Sequence, residues 1–223
     1  MNLAQPLKRG DLRDALIAYA QAQTVEGHIE TMSLRAAARD LGVSSGAVYR
    51  HFEDKDALLV AVVHLGMDSL KERFQKLRPE GQVARSVAEA VQRVYQMGLI
   101  YTDFANENPT LWRQMFGRIG CKCREAHMKD PEMRKYTPVD VASECIRDLY
   151  LLGTLSREPD IQDVRFMWSA IHGAADLAQS GSRLDGHDLK QVTYQTVKRC
   201  LLAIGCPSEV VETSNILRPA TLS

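Results

Sequence analysis

Eight prolines, at positions 6, 79, 109, 131, 138, 159, 207 and 219, divide this chain into segments. A helix interior rejects proline, which lacks the amide donor and collides with the preceding turn, so these positions mark segment edges. Between them the apolar residues recur at helical spacing. Leu12, Leu16 and Tyr19 do so first, and Leu59, Val63, Gly66, Leu70, Phe74 and Leu77 trace a continuous stripe before Pro79. Val83, Val87, Val91, Val94, Gly98 and Tyr101 repeat the pattern after Gly81, as do Val141, Cys145, Leu149, Leu152 and Leu155 after Pro138. Pro159 suits the first turn of a helix carrying Ile161, Val164, Trp168, Ile171, Ala175 and Ala178, which stops at Ser180-Gly181. Asp185 reads as the N-cap of a last helix with Leu189, Val197, Leu201 and Ile204, closed by Gly205 and Pro207. No segment alternates with a two-residue period, so the predicted fold class is all-α, with about nine helices. Residues 207–223 read as a frayed tail, and 117–137, rich in charge, Gly and Pro, resists assignment.

Composition narrows the function. With 45% hydrophobic and 25% charged residues, the 223-residue chain is neither disordered, collagen-like nor a disulfide miniprotein. Twenty-eight basic residues balance twenty-eight acidic ones, so an anionic partner has to be met by a local patch. The N-terminal residues have no apolar core before a cleavage site, and no run approaches the roughly 18 apolar residues of a spanning helix. The expectation is a cytoplasmic protein, used as made, with no membrane partner. Five cysteines, at 121, 123, 145, 200 and 206, are too few and too irregular for a secreted disulfide framework. Cys123 and His127 share a helical face, but Cys121 does not join them and no fourth ligand completes a set, so no metal or other cofactor is expected.

Residues 33–52, SLRAAARDLGVSSGAVYRHF, form a helix-turn-helix pattern. Ser33 is placed to cap a first short helix, Gly42 to take the left-handed conformation of a tight turn, and Ser44 to cap a second helix just after a buried Val43. On that second helix Val48 and Phe52 share one side, Gly46, Ala47 and Arg50 the opposite one, and Ser45, Tyr49 and His51 the flanks. Small residues at 45–47 let the helix approach base edges, and free amides there and after Ser33 suit phosphate oxygens. An ordinary corner between two helices has the same turn, and spacing alone does not separate the two.

The stretch from Leu12 through the SSGAVYRHFEDKDAL run at 44–58 resembles the DNA-binding region of TetR-family transcriptional regulators, strongly over about residues 10–60. The Gly-Val-Ser turn, the Tyr-x-His-Phe end of the recognition helix and the Lys-x-x-Leu start of the connecting helix occur in order and at the family's spacing. The resemblance implies DNA contacts from Ser33 and Arg35 on the second helix, from Ser45, Gly46, Ala47, Tyr49 and His51 on the third, and from Lys55 opening the fourth. Chemistry then assigns Arg35 to a guanine edge or a phosphate, Tyr49 and Lys55 to phosphates, and Ser45 and Ala47 to bases. For His51, packing beside Phe52 is the competing role. Residues 1–60 hold seven basic and eight acidic residues, a net charge of −1, which departs from the basic footprint common in such domains. Binding then depends on how Lys8, Arg9, Arg13, Arg35, Arg50 and Lys55 cluster.

The resemblance also implies the domain plan: a helix-turn-helix domain at 8–54, a helical ligand-binding and dimerisation domain at 55–206, and a tail at 207–223. Pro109–Phe116, followed by Trp168-Ser169-Ala170-Ile171-His172-Gly173, is similar to the subgroup named for its Trp-His-Gly residues. Trp168 and His172, four apart, share a helix face, and Phe104, Trp112, Met115 and Phe116 can supply an apolar wall to an effector pocket. Large apolar residues at this spacing are also ordinary core, and His172 beside Gly173 suits a hydrogen-bonded core histidine. The stretches 160–180 and 187–204 resemble the pair through which the family dimerises. The partners expected are double-stranded operator DNA, a small-molecule effector of unknown identity, and a second copy of the chain.

The same sequence is open to two other readings. Gly42-Val43-Ser44-Ser45-Gly46 matches the Gly-x-Ser-x-Gly nucleophile elbow, but a helix precedes it where that motif needs a strand, so no catalytic residue and no enzyme are expected. The runner-up is a helical small-molecule carrier or enzyme in which 33–52 is only a structural corner.

Overall fold

The computed structural model describes residues 11–129, 137–180 and 188–212, and these contain eleven α-helices and no strand. They are α1 (Asp11–Val25), α2 (Leu34–Asp40), α3 (Ser45–Tyr49), α4 (Lys55–Leu77), α5 (Val87–Glu107), α6 (Pro109–Phe116), α7 (Arg118–Lys129), α8 (Pro138–Leu151), α9 (Ile161–Gln179), α10 (Leu189–Ala203) and α11 (Ser208–Glu212). The helix count exceeds the expected nine. The unassigned stretch from 117 holds α7, and the expected tail opens with α11, which is anchored by the buried Val211.

Side-chain caps set several helix starts, and they correct the boundaries drawn from spacing. Ser86 accepts from the Glu89 amide, so α5 begins at Val87, and Val83, placed on its stripe, lies outside the helix and exposed. Thr137 and Asp140 form a reciprocal capping box at the start of α8, with Pro138 just inside. That helix ends at Leu151, leaving Leu152 as its cap and Leu155 buried beyond it. Asp160 and Asp163 form a second box, so Pro159 precedes the cap of α9 rather than opening the helix. Asp188 caps α10; Asp185 and Gly181, expected to cap and stop helices, lie outside the described residues.

The chain divides into two compact units, one of residues 1–67 with 110–134, the other of 68–109 with 135–223. The first therefore includes α6 and α7, which the sequence reading assigned to the C-terminal domain. Its core contains Leu12, Leu16, Leu34, Val48, Phe52 and Leu58, together with Trp112 and Met115 of α6.

In the second unit α5, α8, α9 and α10 pack against one another, and α11 adds to α5 and α10. Gly98 lets α5 and α10 approach closely: a methyl group there would fall 2.6 Å from Val197 Cγ2. Asp148, fully buried on α8, accepts from Arg78 Nε at 3.2 Å and Nη2 at 2.9 Å, from Arg93 Nη1 at 3.2 Å, and from the Ala84 amide at 3.1 Å. Glu144 also pairs with Arg78, and Glu89 with Arg93, so the two buried guanidiniums are answered by carboxylates. This network ties the end of α4 and the following loop to α5 and α8.

Candidate nucleic-acid interface

The helix-turn-helix is built as its sequence demands. The Ser33 hydroxyl accepts from the Ala36 amide at 3.1 Å and starts α2. At the other end Gly42, at φ 68°, donates to the Arg39 carbonyl, and Val43 donates to that of Ala38, the double closure of a Schellman turn. Ser44 then caps α3 through the Ala47 amide at 3.2 Å. Val43 is half-buried rather than buried. Val48 is fully buried and Phe52 nearly so, with the Arg13 guanidinium 5.5 Å from the centre of the Phe52 ring.

With that side anchored, Ser45, Gly46, Tyr49, Arg50 and His51 are exposed, and Ala47 is half-buried. On α2, Ser33 and Arg35 are exposed while Leu34, Ala37 and Ala38 face the core. Tyr49 keeps 46% of its surface in solvent. Arg50 Nε folds back onto the Gly46 carbonyl at 3.2 Å. Asp40 is held by the Tyr19 hydroxyl at 2.9 Å and by Arg39, and the Tyr19 bond draws its carboxyl below the ordinary range. Lys55 is half-buried, and its ammonium donates to the Glu30 carbonyl at 2.9 Å. Next to it Asp56 pairs with Arg118 and Lys122 of α7, which keep its carboxyl far below the ordinary range. Those two cations escaped the sequence reading because 62 and 66 residues separate them from Asp56.

The six residues read as an effector wall are divided between the units. Trp112 and Met115 are buried in the first, where Trp112 packs against Phe116 with ring centroids 4.4 Å apart. In the second, Phe104 is buried under the Arg73 guanidinium. Trp168 and His172 do come together, through a residue that spacing did not single out for this role. The Trp168 indole N–H donates to the Tyr101 hydroxyl at 2.6 Å, and that hydroxyl lies 2.9 Å from His172 Nδ1. His172 Nε2 is 3.6 Å from Asp176. Burial pushes the Tyr101 phenol up and the His172 imidazolium down in pKa, Asp176 partly opposing the latter.

Of the cysteines, Cys121 is exposed and the other four are buried. The side chain of His127 lies outside the described residues. Among the described residues no helix is long and apolar enough to cross a membrane.

Comparison with known proteins gives matches in both halves of the chain. Residues 17–62 match the family described as bacterial regulatory proteins, tetR family, and residues 94–200 match the tetracyclin repressor-like C-terminal domain. The latter description lends no support to the Trp-His-Gly subgroup. The HTH-type transcriptional repressor KstR2 of Rhodococcus jostii (strain RHA1) is 24% identical over 152 residues, spanning 61% of this chain and 74% of that protein. Among solved structures, a protein of unknown function from Rhodococcus sp. RHA1 superimposes with a TM-score of 0.69 at 22% identity, covering 90% of this chain and 99% of that one. SmeT, the repressor of the Stenotrophomonas maltophilia multidrug efflux pump SmeDEF, gives 0.59 at 19% identity over 89% and 92%. In its triclosan complex it gives 0.62 at 17% over 95% and 97%. The N-terminal match covers the capped turn and the exposed α3 face, and the C-terminal match covers most of the second helical unit, so the chain belongs to the TetR family of transcriptional regulators.

Proposed function

We propose that the chain is a cytoplasmic repressor that binds a pseudo-palindromic operator as a homodimer and is released by a small-molecule effector. The observation that carries the DNA reading is the two-sided α3: Val48 locked in the core beneath, and Ser45, Gly46, Tyr49 and His51 presented to solvent with Ala47 half-covered. Arg35 and Ser33 on α2 and Lys55 at the start of α4 extend that face toward phosphates and base edges. Two such helices in a dimer would enter successive major grooves about 34–36 Å apart.

Dimerisation has its own support. On α9, Phe166 and Leu177 are half exposed, and Ala170 and Gly173 lie on the same side between them. A methyl group on Gly173 would meet nothing within 4 Å. An apolar strip with small residues at its middle suits close approach by a second copy. For the effector, the Tyr101, Trp168 and His172 group offers polar atoms beside aromatic surface, and the triclosan complex of SmeT supports ligand binding in this fold. Phe104, Trp112 and Met115 are packed as core and would need to be uncovered to touch a ligand. The effector would act only through its differential affinity for a dimer geometry unfit for DNA.

The test is a titration against the DNA upstream of the protein's own coding region across salt concentrations, with Tyr49→Ala/His51→Ala as control. Tight, salt-dependent binding lost in the folded control supports the regulator. Binding that is the same in the control refutes this use of α3, whereas binding by the unmodified chain no tighter than to unrelated DNA favours a helical small-molecule binder or enzyme without DNA-binding activity.

A further inference from the structure

The helix-turn-helix region has a charge problem that the fold resolves from a distant part of the chain. Residues 1–60 are net −1, whereas residues 110–125, in the same compact unit as the helix-turn-helix, hold four Lys or Arg against one Asp or Glu. The two stretches meet at the start of α4. Arg118 grips both carboxylate oxygens of Asp56, with Nη2 2.8 Å from Oδ1, and Lys122 Nζ lies 2.5 Å from Oδ2. Arg118 is also drawn electrostatically by Asp54 and Glu30. Lys55, the neighbour of Asp56, is bonded to the Glu30 carbonyl. Lys55 and Asp56 open α4 as neighbours in sequence, and α7 brings two cations to the Asp56 carboxylate.

We infer that Arg118 and Lys122 are positioning residues for DNA binding: by holding and neutralising Asp56 they cancel a negative charge next to Lys55 that would repel a DNA phosphate. Two features separate this from direct contact with DNA. Arg118 already spends two guanidinium nitrogens on Asp56, and both cations converge on Oδ2 of the same carboxylate. Asp56 is the more covered partner, its side chain 20% exposed against 67% for Arg118 and 46% for Lys122. A carboxylate that covered, once stripped of its cations, is left as an uncompensated charge at the start of α4. The inference rests on the DNA reading of α3.

The experiment begins by selecting duplexes from a random DNA pool with the unmodified full-length chain, and then measures affinity for the selected duplex across salt concentrations. Arg118→Ala/Lys122→Ala is expected to weaken binding at least about tenfold and to lower the salt slope by about one, the share of one phosphate contact. Adding Asp56→Asn to that pair is expected to restore affinity to within about threefold of the unmodified chain, and the slope with it. Thermal midpoints are followed in parallel, and Arg118→Gln/Lys122→Gln replaces the alanine pair if the latter does not fold. Unchanged affinity in the pair overturns the inference. So does a slope lowered by about two without rescue by Asp56→Asn, which would make both side chains direct phosphate ligands. If the unmodified chain enriches no duplex, the DNA reading itself fails and this inference with it; enrichment without dependence on 118 and 122 removes the inference alone.

Discussion

The Tyr101 hydroxyl joins two side chains of α9, taking a hydrogen bond from Trp168 at 2.6 Å and facing His172 Nδ1 at 2.9 Å. A neutral imidazole with Nδ1 as acceptor completes this chain of donors, and burial depresses the His172 pKa to favour that form. A histidine whose folded-state pKa is lowered contributes stability above its ordinary value near 6.5, and that contribution is lost as pH falls toward and through the folded pKa. The thermal midpoint should therefore drop more between about pH 7.5 and 5.5 in the unmodified chain than in His172→Gln. Parallel pH profiles of the two check this, and identical profiles contradict it.

Gly46 offers a way to separate DNA contact from folding. It is exposed on α3, its φ is not positive, and a Cβ there would meet nothing within 4 Å. Gly46→Leu should leave stability unchanged or raise it by up to about 1 kcal/mol, since leucine favours helix over glycine. Operator affinity should nonetheless fall at least about tenfold, because the larger side chain holds α3 off the base edges. Retained affinity in the folded variant would show that α3 does not enter the groove at this point.

The turn between α2 and α3 should be sensitive to two single-atom changes. Gly42→Ala puts a Cβ into the left-handed region and should cost about 1–2 kcal/mol. Ser44→Ala removes the α3 cap and should cost about 1 kcal/mol. Denaturant titrations measure both.

Asp148 is a stronger case. Its replacement by alanine leaves Arg78 without its chelating partner and takes an acceptor from Arg93, both buried, and removal of one partner from a buried ion network typically costs about 3–5 kcal/mol. Calorimetry should place Asp148→Ala among the most destabilised single variants, with Glu144→Ala, whose own carboxylate is more exposed, well behind.

What the sequence revealed depended on how local the physics was. Ser33, Gly42, Ser44 and Val48 act within one or two turns, so their roles could be read from spacing and residue type, and the structure places them accordingly. Helix ends were less legible because a cap is one residue among several candidates: Pro159 looked like a start, but the carboxylate of Asp160 begins the helix. The second unit was least legible. Trp168 and His172 share a face in any helix, but Tyr101, about seventy residues earlier, makes them a group. The same limit hid the packing of α6 and α7 in the compact unit of the helix-turn-helix, although they lie within the matched C-terminal domain, since neither composition nor period records which neighbours a helix packs against.

The distribution of the five thiols has a practical consequence. Burial pushes Cys145 up to about 12 and Cys206 up to about 11, raises Cys200 as well, and covers Cys123, so these four make poor nucleophiles. Cys121, exposed on α7 between Arg118 and Lys122, is left as a natural attachment point. A maleimide fluorophore should label the folded chain there without any engineered cysteine, giving an optical reporter within one helical turn of both cations that hold Asp56.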